Sequence, residues 1–338
     1  MVSKGNATYR MNRGTFVTKD KITEKRTLTL ISSNSQRFVY KNGDTEVIMN
    51  AHVEDRQVTC TFDYPPDINR LWLQIPSKKD EGIYGCGEQF THFNLKGKKV
   101  PIWVSEHHSL KKLLKKAIRT KILGVNNNHM SDYKHHQTYI AQPTFITSQA
   151  CLIHADTSSY CEFDFSKENQ TLLHFRSVPK SILFYQGENI ADCLSFLSEK
   201  TGKHPRLPKW VSSGAIIASQ GGWDKAIDRV NQVLKNGGKV SAIWSQDWSG
   251  QLITKFGTQV FWNWQVDNKL YSQAAQRINE LNEKGIRFLG YINTFLKEDS
   301  VLYSEAKANN YLVLTQTAEP YLIKSTTFKA GIVDLTNP

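Results

Sequence analysis

The first half of the chain consists of short segments in which apolar and polar residues alternate or apolar residues run together. Examples are "QVTCTFDY", "RLWLQIP", "YCEFDF" and "SILFYQG". Alternation over this length is typical of half-buried strands, and "KNGD" between two such segments is a hairpin signal. Many short strands joined by turns predict a β-sandwich of antiparallel sheets, which we assign to residues 1–187.

From about residue 188 the hydrophobic pattern changes. "NIADCLSFLSEKTG" has the spacing of a helix and "KHPRLPKW" that of a proline-marked linker, which together occupy residues 188–210. The apolar runs "GAIIAS", "VSAIWS" and "RFLGYIN" then alternate with amphipathic helical segments, and "YLVLT", "YLIKS" and "GIVDL" follow. Strands alternating with helices indicate βαβ units and a parallel sheet across residues 211–338.

Polar residues follow the strands of this second region where each strand ends. Gln220 follows the first strand, Gln246 and Asp247 follow the second, and Asn293 ends the third. In a β/α barrel the carboxyl ends of the strands carry the active site, so this pattern favours a barrel over a doubly wound sheet. "SQGGWD" lacks the GxGxxG spacing and gives no case for a nucleotide.

The composition limits which cellular compartment and which cofactors we expect for this protein. The five cysteines form no CxxC pair, which favours a reduced compartment over a disulfide framework. The first thirty residues hold no signal-peptide pattern, and no apolar run reaches the length of a membrane span. We therefore expect a cytoplasmic protein without a membrane span. No metal-spaced His/Cys cluster is present, so we expect no metal and no cofactor.

The net charge of +12 is concentrated between Lys96 and Lys121, which hold nine basic residues against one acid, Glu106. Residues 109–121, "SLKKLLKKAIRTK", predict a basic amphipathic helix. Such a helix can bind an anionic surface, or it can dock its apolar stripe on the protein and leave its lysines in water. We favour the second interpretation and expect no nucleic acid partner, because no groove-reading features adjoin this run.

Several motifs, in order, resemble family 31 glycoside hydrolases, and bacterial sulfoquinovosidases in particular. They are "IYGCGEQFTHFNLKGKKVPIWVSE", "QPTFITS", "IIASQGGW", "IWSQDWSG", "FGTQVFWNW", "FLGYIN" and "GIVDLTNP", and the resemblance runs from about Met11 to the last residue. It implies an N-terminal β-sandwich followed by the first part of a (β/α)8 TIM barrel. It also implies retaining hydrolysis of α-glycosides, with a small carbohydrate as the partner.

The resemblance implies sugar-contacting roles for Gln220, Gln246 and Trp262. Asp247 and Trp248 lie in the same strand-end turn as Gln246, so we expect them to line the pocket, and Gln259 is the sixth predicted binding residue. For Trp264 we favour core packing. Gln259 stands where sulfoquinovosidases have an arginine that binds the sulfonate. A neutral amide cannot supply a charge-assisted hydrogen bond to an anionic headgroup. This departure favours a neutral, terminal α-linked hexoside, as in an α-glucosidase.

The resemblance places the family's nucleophilic and acid/base aspartates beyond "VDLTNP", and the sequence ends at Pro338. We therefore assign no catalytic residue and expect the chain to be inactive alone, with a partner or a missing C-terminal half completing the barrel. Two alternatives stay open. One is a non-catalytic carbohydrate-binding or interaction protein that uses the same pocket, and the other is a basic surface-binding protein acting through residues 109–121.

Overall fold

The computed structural model describes residues 1–12, 15–90, 92–104, 138–254, 257–325 and 327–337. The chain divides into two compact units, Met1–Lys203 and His204–Pro338. The basic helix predicted at residues 109–121 lies outside the described residues. Among those described, no helix has the length and apolar content that crossing a membrane requires.

The first unit contains two antiparallel sheets. The six-stranded sheet has the order β2-β1-β7-β13-β12-β9 and comprises Val2–Asn12 (β1), Thr15–Arg26 (β2), Arg70–Pro76 (β7), Lys99–Ile102 (β9), Cys161–Asp164 (β12) and Gln170–Phe175 (β13). The eight-stranded sheet has the order β3-β4-β5-β6-β14-β11-β10-β8 and comprises Thr29–Ser33 (β3), Arg37–Asn42 (β4), Thr45–Glu54 (β5), Gln57–Asp63 (β6), Ile83–Gly87 (β8), Ala141–Thr147 (β10), Cys151–Asp156 (β11) and Ser181–Gln186 (β14). These sheets confirm the predicted sandwich-like region.

The "KNGD" hairpin forms where the sequence predicts it. Asn42 of β4 pairs with Thr45 of β5, which leaves a two-residue turn. Gly43 has a φ of +55° in that turn, a conformation in which a side chain is disfavoured.

Apolar rows from both sheets meet in one core. On β13 burial alternates from residue to residue, so that Leu173 and Phe175 are fully buried. Phe145 of β10, in the other sheet, meets Phe163 of β12 with ring centroids 5.6 Å apart. Burying each such side chain contributes about 1.5–3 kcal/mol, so these contacts hold the two sheets face to face.

Among the described residues of the first unit, one helix follows the sheets. It is α1, Ile190–Thr201, and the side chain of Asn189 caps it by accepting a hydrogen bond from the Asp192 amide at 3.0 Å. Its buried residue, Cys193, packs in a small core cluster with Leu152 and Tyr185. All five cysteines of the chain are free thiols.

The second unit begins with a short 3₁₀ helix, Lys209–Ser212, and a parallel sheet. The sheet has the order β15-β16-β19, formed by Ala215–Ser219 (β15), Val240–Ser245 (β16) and Arg287–Gly290 (β19). The helices α2, Trp223–Lys235, and α3, Ala274–Glu283, connect these strands. A hairpin of Gln251–Thr254 (β17) and Gly257–Val260 (β18) is inserted after β16. The three predicted parallel strands are therefore present.

The end of the chain does not continue the parallel sheet. Phe295–Lys297 (β20), Leu322–Lys324 (β21) and Lys329–Ile332 (β22) form an antiparallel sheet of order β20-β22-β21, next in sequence to the helix α4, Val301–Ala308. "YLVLT" makes only isolated bridges at Leu312 and Leu314. The apolar pattern predicts further βαβ units here, but β22 instead lies between β20 and β21 and pairs antiparallel with both.

The parallel sheet is covered on one face. Ile217, Ile243 and Phe288 pack with α2 and α3 in a core cluster. On the opposite face Ile216 and Trp244 remain 42% and 38% exposed. Parallel sheets normally bury both faces, so this face is unusually open.

Candidate functional site

The carboxyl ends of the parallel strands bring the predicted polar residues to one edge. Ser219 of β15 pairs with Ser245 of β16, and Ser245 pairs with Gly290 of β19. Because parallel strands in register end together, the residues that follow them are neighbours. Gln220 donates from its side-chain nitrogen to the Gln246 side-chain oxygen, which confirms this proximity.

Asp247 is fully buried at this edge, and internal hydrogen bonds engage both of its carboxylate oxygens. Its Oδ1 accepts from the Tyr271 hydroxyl at 2.6 Å and from Ser245 Oγ at 3.2 Å. Its Oδ2 accepts from the Gly221 amide at 2.6 Å and from Gln251 Nε2 at 2.5 Å. Burial first, and then the bond to Asp247, raise the pKa of Tyr271 above its usual range. The carboxylate therefore ties together the segments that follow β15 and β16.

An open cleft of about 320 Å³ lies beside these strand ends, which we call the amide cleft. It holds three of the six predicted binding residues, Gln246, Gln259 and Trp262. The remaining lining residues are Val260, Tyr291, Ser325 and Phe328. No carboxylate stands among these lining side chains.

Aromatic packing fixes the indole of Trp262. Its ring centroid lies 5.1 Å from that of Phe295 and 5.0 Å from that of Phe328, the latter at 82°. Its backbone oxygen accepts from the Lys297 amide at 2.9 Å. These two ring contacts hold the indole in place and leave it half-buried at the cleft.

The side-chain oxygens of the two amides of the cleft both accept hydrogen bonds from neighbouring side chains. Gln246 Oε1 accepts from Gln220, and Gln259 Oε1 accepts from the Thr327 hydroxyl at 2.7 Å. Since an amide oxygen accepts and its nitrogen donates, the NH₂ groups of Gln246 and Gln259 are left to donate to a ligand. The lining thus offers two donors beside an aromatic ring.

Trp248 lies away from the amide cleft. Its Nε1 donates to the Tyr291 backbone oxygen at 2.5 Å, and its ring lies against Gly290, where a Cβ would approach Nε1 to 3.1 Å. With Phe288, Ile278 and others it lines a separate apolar cavity of about 250 Å³. Gln220 and Asp247 also stand outside the cleft lining: Gln220 is exposed and bonds to Gln246, and Asp247 is buried.

Three further side chains of the second unit have local roles. Trp264 packs against the Leu296 and Tyr303 cluster, in agreement with the expected core position. Asp224 lies in the first turn of α2, and Asp334 accepts from Thr336. Across the described ranges, no three His, Cys, Asp or Glu side chains are arranged to hold a metal ion.

Sequence reasoning missed four lining residues, Val260, Tyr291, Ser325 and Phe328, and the supporting Thr327. Tyr291 follows β19 directly and could have been found by the strand-end argument. Thr327 and Phe328 lie in the turn between β21 and β22, far along the chain from Gln259. No local signal marks them, because only the antiparallel pairing brings that turn to the cleft.

Comparison with known proteins decides the family. The glycosyl hydrolase 31 N-terminal galactose mutarotase-like domain matches residues 12–164. The sulfoquinovosidase of Escherichia coli (strain K12) is 33% identical over 345 residues, which cover 100% of this chain and 50% of the relative. A second sulfoquinovosidase, from Agrobacterium fabrum, is also 33% identical over 97% of this chain and 49% of its own length.

The chain belongs to glycoside hydrolase family 31. Its fold is similar to that of a family 31 sulfoquinovosidase from E. rectale in complex with an aza-sugar inhibitor, with a TM-score of 0.85 and 32% identity over 100% of this chain and 50% of that one. This family 31 chain thus spans about half the length of the curated relatives it matches.

Proposed function

We propose that the amide cleft binds the terminal α-linked hexose of a glycoside, as the substrate-binding part of a family 31 glycosidase. One observation carries the proposal. The indole of Trp262 and the amides of Gln246 and Gln259 share a single cleft at the ends of the parallel strands. An aromatic ring suits the C–H face of a pyranose, and fixed amide donors suit its hydroxyl oxygens.

In this proposal Gln220 and Asp247 position the site and do not line it. Gln220 orients Gln246, and Asp247 holds the backbone at Gly221 and the side chain of Gln251. Trp248 supports the backbone of Tyr291. The six predicted residues therefore divide into a lining group and a supporting group.

The second unit is proposed to be the first part of a (β/α)8 barrel. Three parallel strands in sequence order with two connecting helices support this interpretation, and so does the exposed face that carries Trp244. Further chain, or a partner, would cover that face. The proposed domain organisation is a β-sandwich at 1–187, a helix and linker at 188–210, and the barrel part at 211–338.

We further propose that these 338 residues bind the glycoside without hydrolysing it. Retaining hydrolysis needs two carboxyl groups about 5 Å apart on either side of the glycosidic bond. The amide cleft has no carboxylate in its lining, and Asp247 has both oxygens engaged. The neutral Gln259 favours a hexose ring without a sulfonate.

The test is release of 4-nitrophenol from 4-nitrophenyl α-glucoside by the purified chain, with the α-sulfoquinovoside in parallel. Saturable quenching of tryptophan fluorescence by the glucoside, lost in Trp262→Ala and kept in Trp264→Phe, without turnover of either compound, is expected. Turnover that disappears in Asp247→Asn would place catalytic carboxylates within this chain and overturn the proposal of inactivity. Absence of binding would overturn the proposed site.

A further inference from the structure

A second cleft adjoins the amide cleft in the same unit, and it has a different chemistry. It has a volume of about 540 Å³, and Phe328 belongs to both linings. Lys297, Lys324 and Lys329 stand in its lining, and we call it the lysine cleft. Its other lining residues are Leu252, Ile253, Thr254, Glu298, Asp299 and Thr327.

Two of these lysines form a like-charged pair across the antiparallel strands. Lys324 of β21 is the direct register partner of Lys329 of β22, and both are exposed. Directly opposite residues project to the same side of a sheet, where like charges repel one another. An anion bound between the two ammonium groups would relieve that repulsion.

Two carboxylates, Glu298 and Asp299, share this lining with the lysines. Asp299 pairs with Lys297 at 2.5 Å. Glu298 contributes, after burial, to raising the pKa of Tyr303. Among the described residues, neither Lys324 nor Lys329 has a carboxylate within salt-bridge distance. With Asp299 paired to Lys297, Lys324 and Lys329 outnumber Glu298 in the lining, so the cleft keeps a net positive charge.

The two clefts are joined through one turn. Thr327 donates to Gln259 Oε1 at 2.7 Å on the side of the amide cleft and also lines the lysine cleft. A ligand that lies on Trp262 and accepts from the Gln259 NH₂ group would meet Phe328 next, with the lysines beyond it. The amide cleft offers hydrogen-bond donors and the adjoining lysine cleft offers positive charges. Together they suit a ligand with many acceptor oxygens and a negatively charged group.

We propose that the lysine cleft is a subsite for an anionic substituent of the glycoside bound in the amide cleft, with phosphate as the chemical probe. This inference rests on the proposed function, since it needs the hexose in the amide cleft. The hexose ring can be neutral where it meets Gln259, because the charge recognition lies with Lys324 and Lys329. The substituent can be carried by the sugar or by the aglycone, and the probes below separate the two.

The experiment measures dissociation constants of the full chain by calorimetry at low salt. The probes are methyl α-glucoside, its 6-phosphate, α-glucosyl glycerol phosphate and inorganic phosphate. We expect one phosphorylated glycoside to bind about tenfold more tightly than methyl α-glucoside, with the gain falling as salt is raised. The double variant Lys324→Gln/Lys329→Gln should lose that gain and keep binding of methyl α-glucoside.

A matched control separates local from overall charge. Lys235→Gln/Lys284→Gln removes the same charge from exposed positions that line neither cleft, and it should keep the tenfold gain. Binding of methyl α-glucoside with no gain from phosphate, or with a gain that survives in Lys324→Gln/Lys329→Gln, would overturn this inference alone. Absence of binding by every glycoside would overturn the proposed function together with it.

Discussion

Phe163 in the first unit and Trp244 in the second are both aromatic residues on an interior strand of a sheet, yet only Phe163 is fully buried. Phe163 meets Phe145 from the facing sheet, so the first unit covers its own apolar rows. Trp244 lies on the face of the parallel sheet that α2 and α3 do not cover. The amide cleft thus belongs to the unit whose sheet is covered on one face.

Because the two units differ in how they bury their apolar residues, substitutions in them are expected to change different properties. The described strands of the sandwich unit bury aromatic side chains between their two sheets. The second unit carries polar residues at its strand ends and a sheet face on which Ile216 and Trp244 are partly exposed. We therefore expect substitutions in the first unit to act on folding, and those in the second to act on folding and binding together.

The largest expected effect is on the core of the sandwich. Phe163→Ala should lower the free energy of unfolding of the first unit by about 3–5 kcal/mol, because the cavity it leaves is enclosed by both sheets. Urea unfolding followed by hydrogen exchange of peptides from residues 138–186 reports on this unit by itself. Its counterpart is Trp244→Ala, which should change the second unit by less than about 1 kcal/mol. A larger loss there would mean that this face is covered.

Asp247→Asn should have the next largest effect. The amide replaces one acceptor oxygen with a donor, which then faces donors such as the Gly221 amide or the Tyr271 hydroxyl. We expect the free energy of unfolding of the second unit to fall by about 2–3 kcal/mol and glycoside binding to weaken with it. Asp224→Asn, at an exposed position in the first turn of α2, should change either quantity little. Equal effects of the two substitutions would contradict the positioning role of Asp247.

A smaller effect concerns pH and is confined to the first unit. Burial, followed by the charge of Arg176, lowers the pKa of His174 to about 4. Below about pH 6.5 the unfolded chain takes up a proton at this residue that the folded chain does not. The stability contributed by neutral His174 is therefore fully present above pH 6.5 and falls as pH drops toward 4, by on the order of 2 kcal/mol.

The check is the pH dependence of unfolding of the first unit in His174→Gln, which should be flatter between pH 6.5 and 4. His52→Gln, at an exposed site of the same unit, should keep the original slope. An unchanged slope in His174→Gln would show that other groups set the acid sensitivity.

Local sequence signals predicted the elements better than their pairing. The turn at Gly43 and the strands "GAIIAS" and "VSAIWS" depend on neighbouring residues, and they are present. The apolar runs from Leu322 onward have the same pattern whether strands pair parallel or antiparallel. Their antiparallel pairing therefore could not be predicted from the sequence.

The candidate site shows the same contrast between residues marked by local sequence signals and contacts between residues far apart in the chain. Gln246 and Trp262 were found because strand ends and the family motif mark them. The burial of Asp247 depends on Tyr271, which is 24 residues further along the chain, and the orientation of Gln259 depends on Thr327, 68 residues away. Contacts over such separations leave no periodic trace in the sequence.

The most direct test of the account is hydrogen exchange of the whole chain with and without saturating methyl α-glucoside. We predict increased protection in peptides that cover residues 246–248, 257–264 and 289–293, and no change in the strands of the first unit. Peptides from residues 286–335 should exchange faster than β13 in the absence of ligand. Unchanged exchange around Gln246 and Trp262 at saturation, or protection that arises in the first unit instead, would contradict the central claim that the amide cleft binds the sugar.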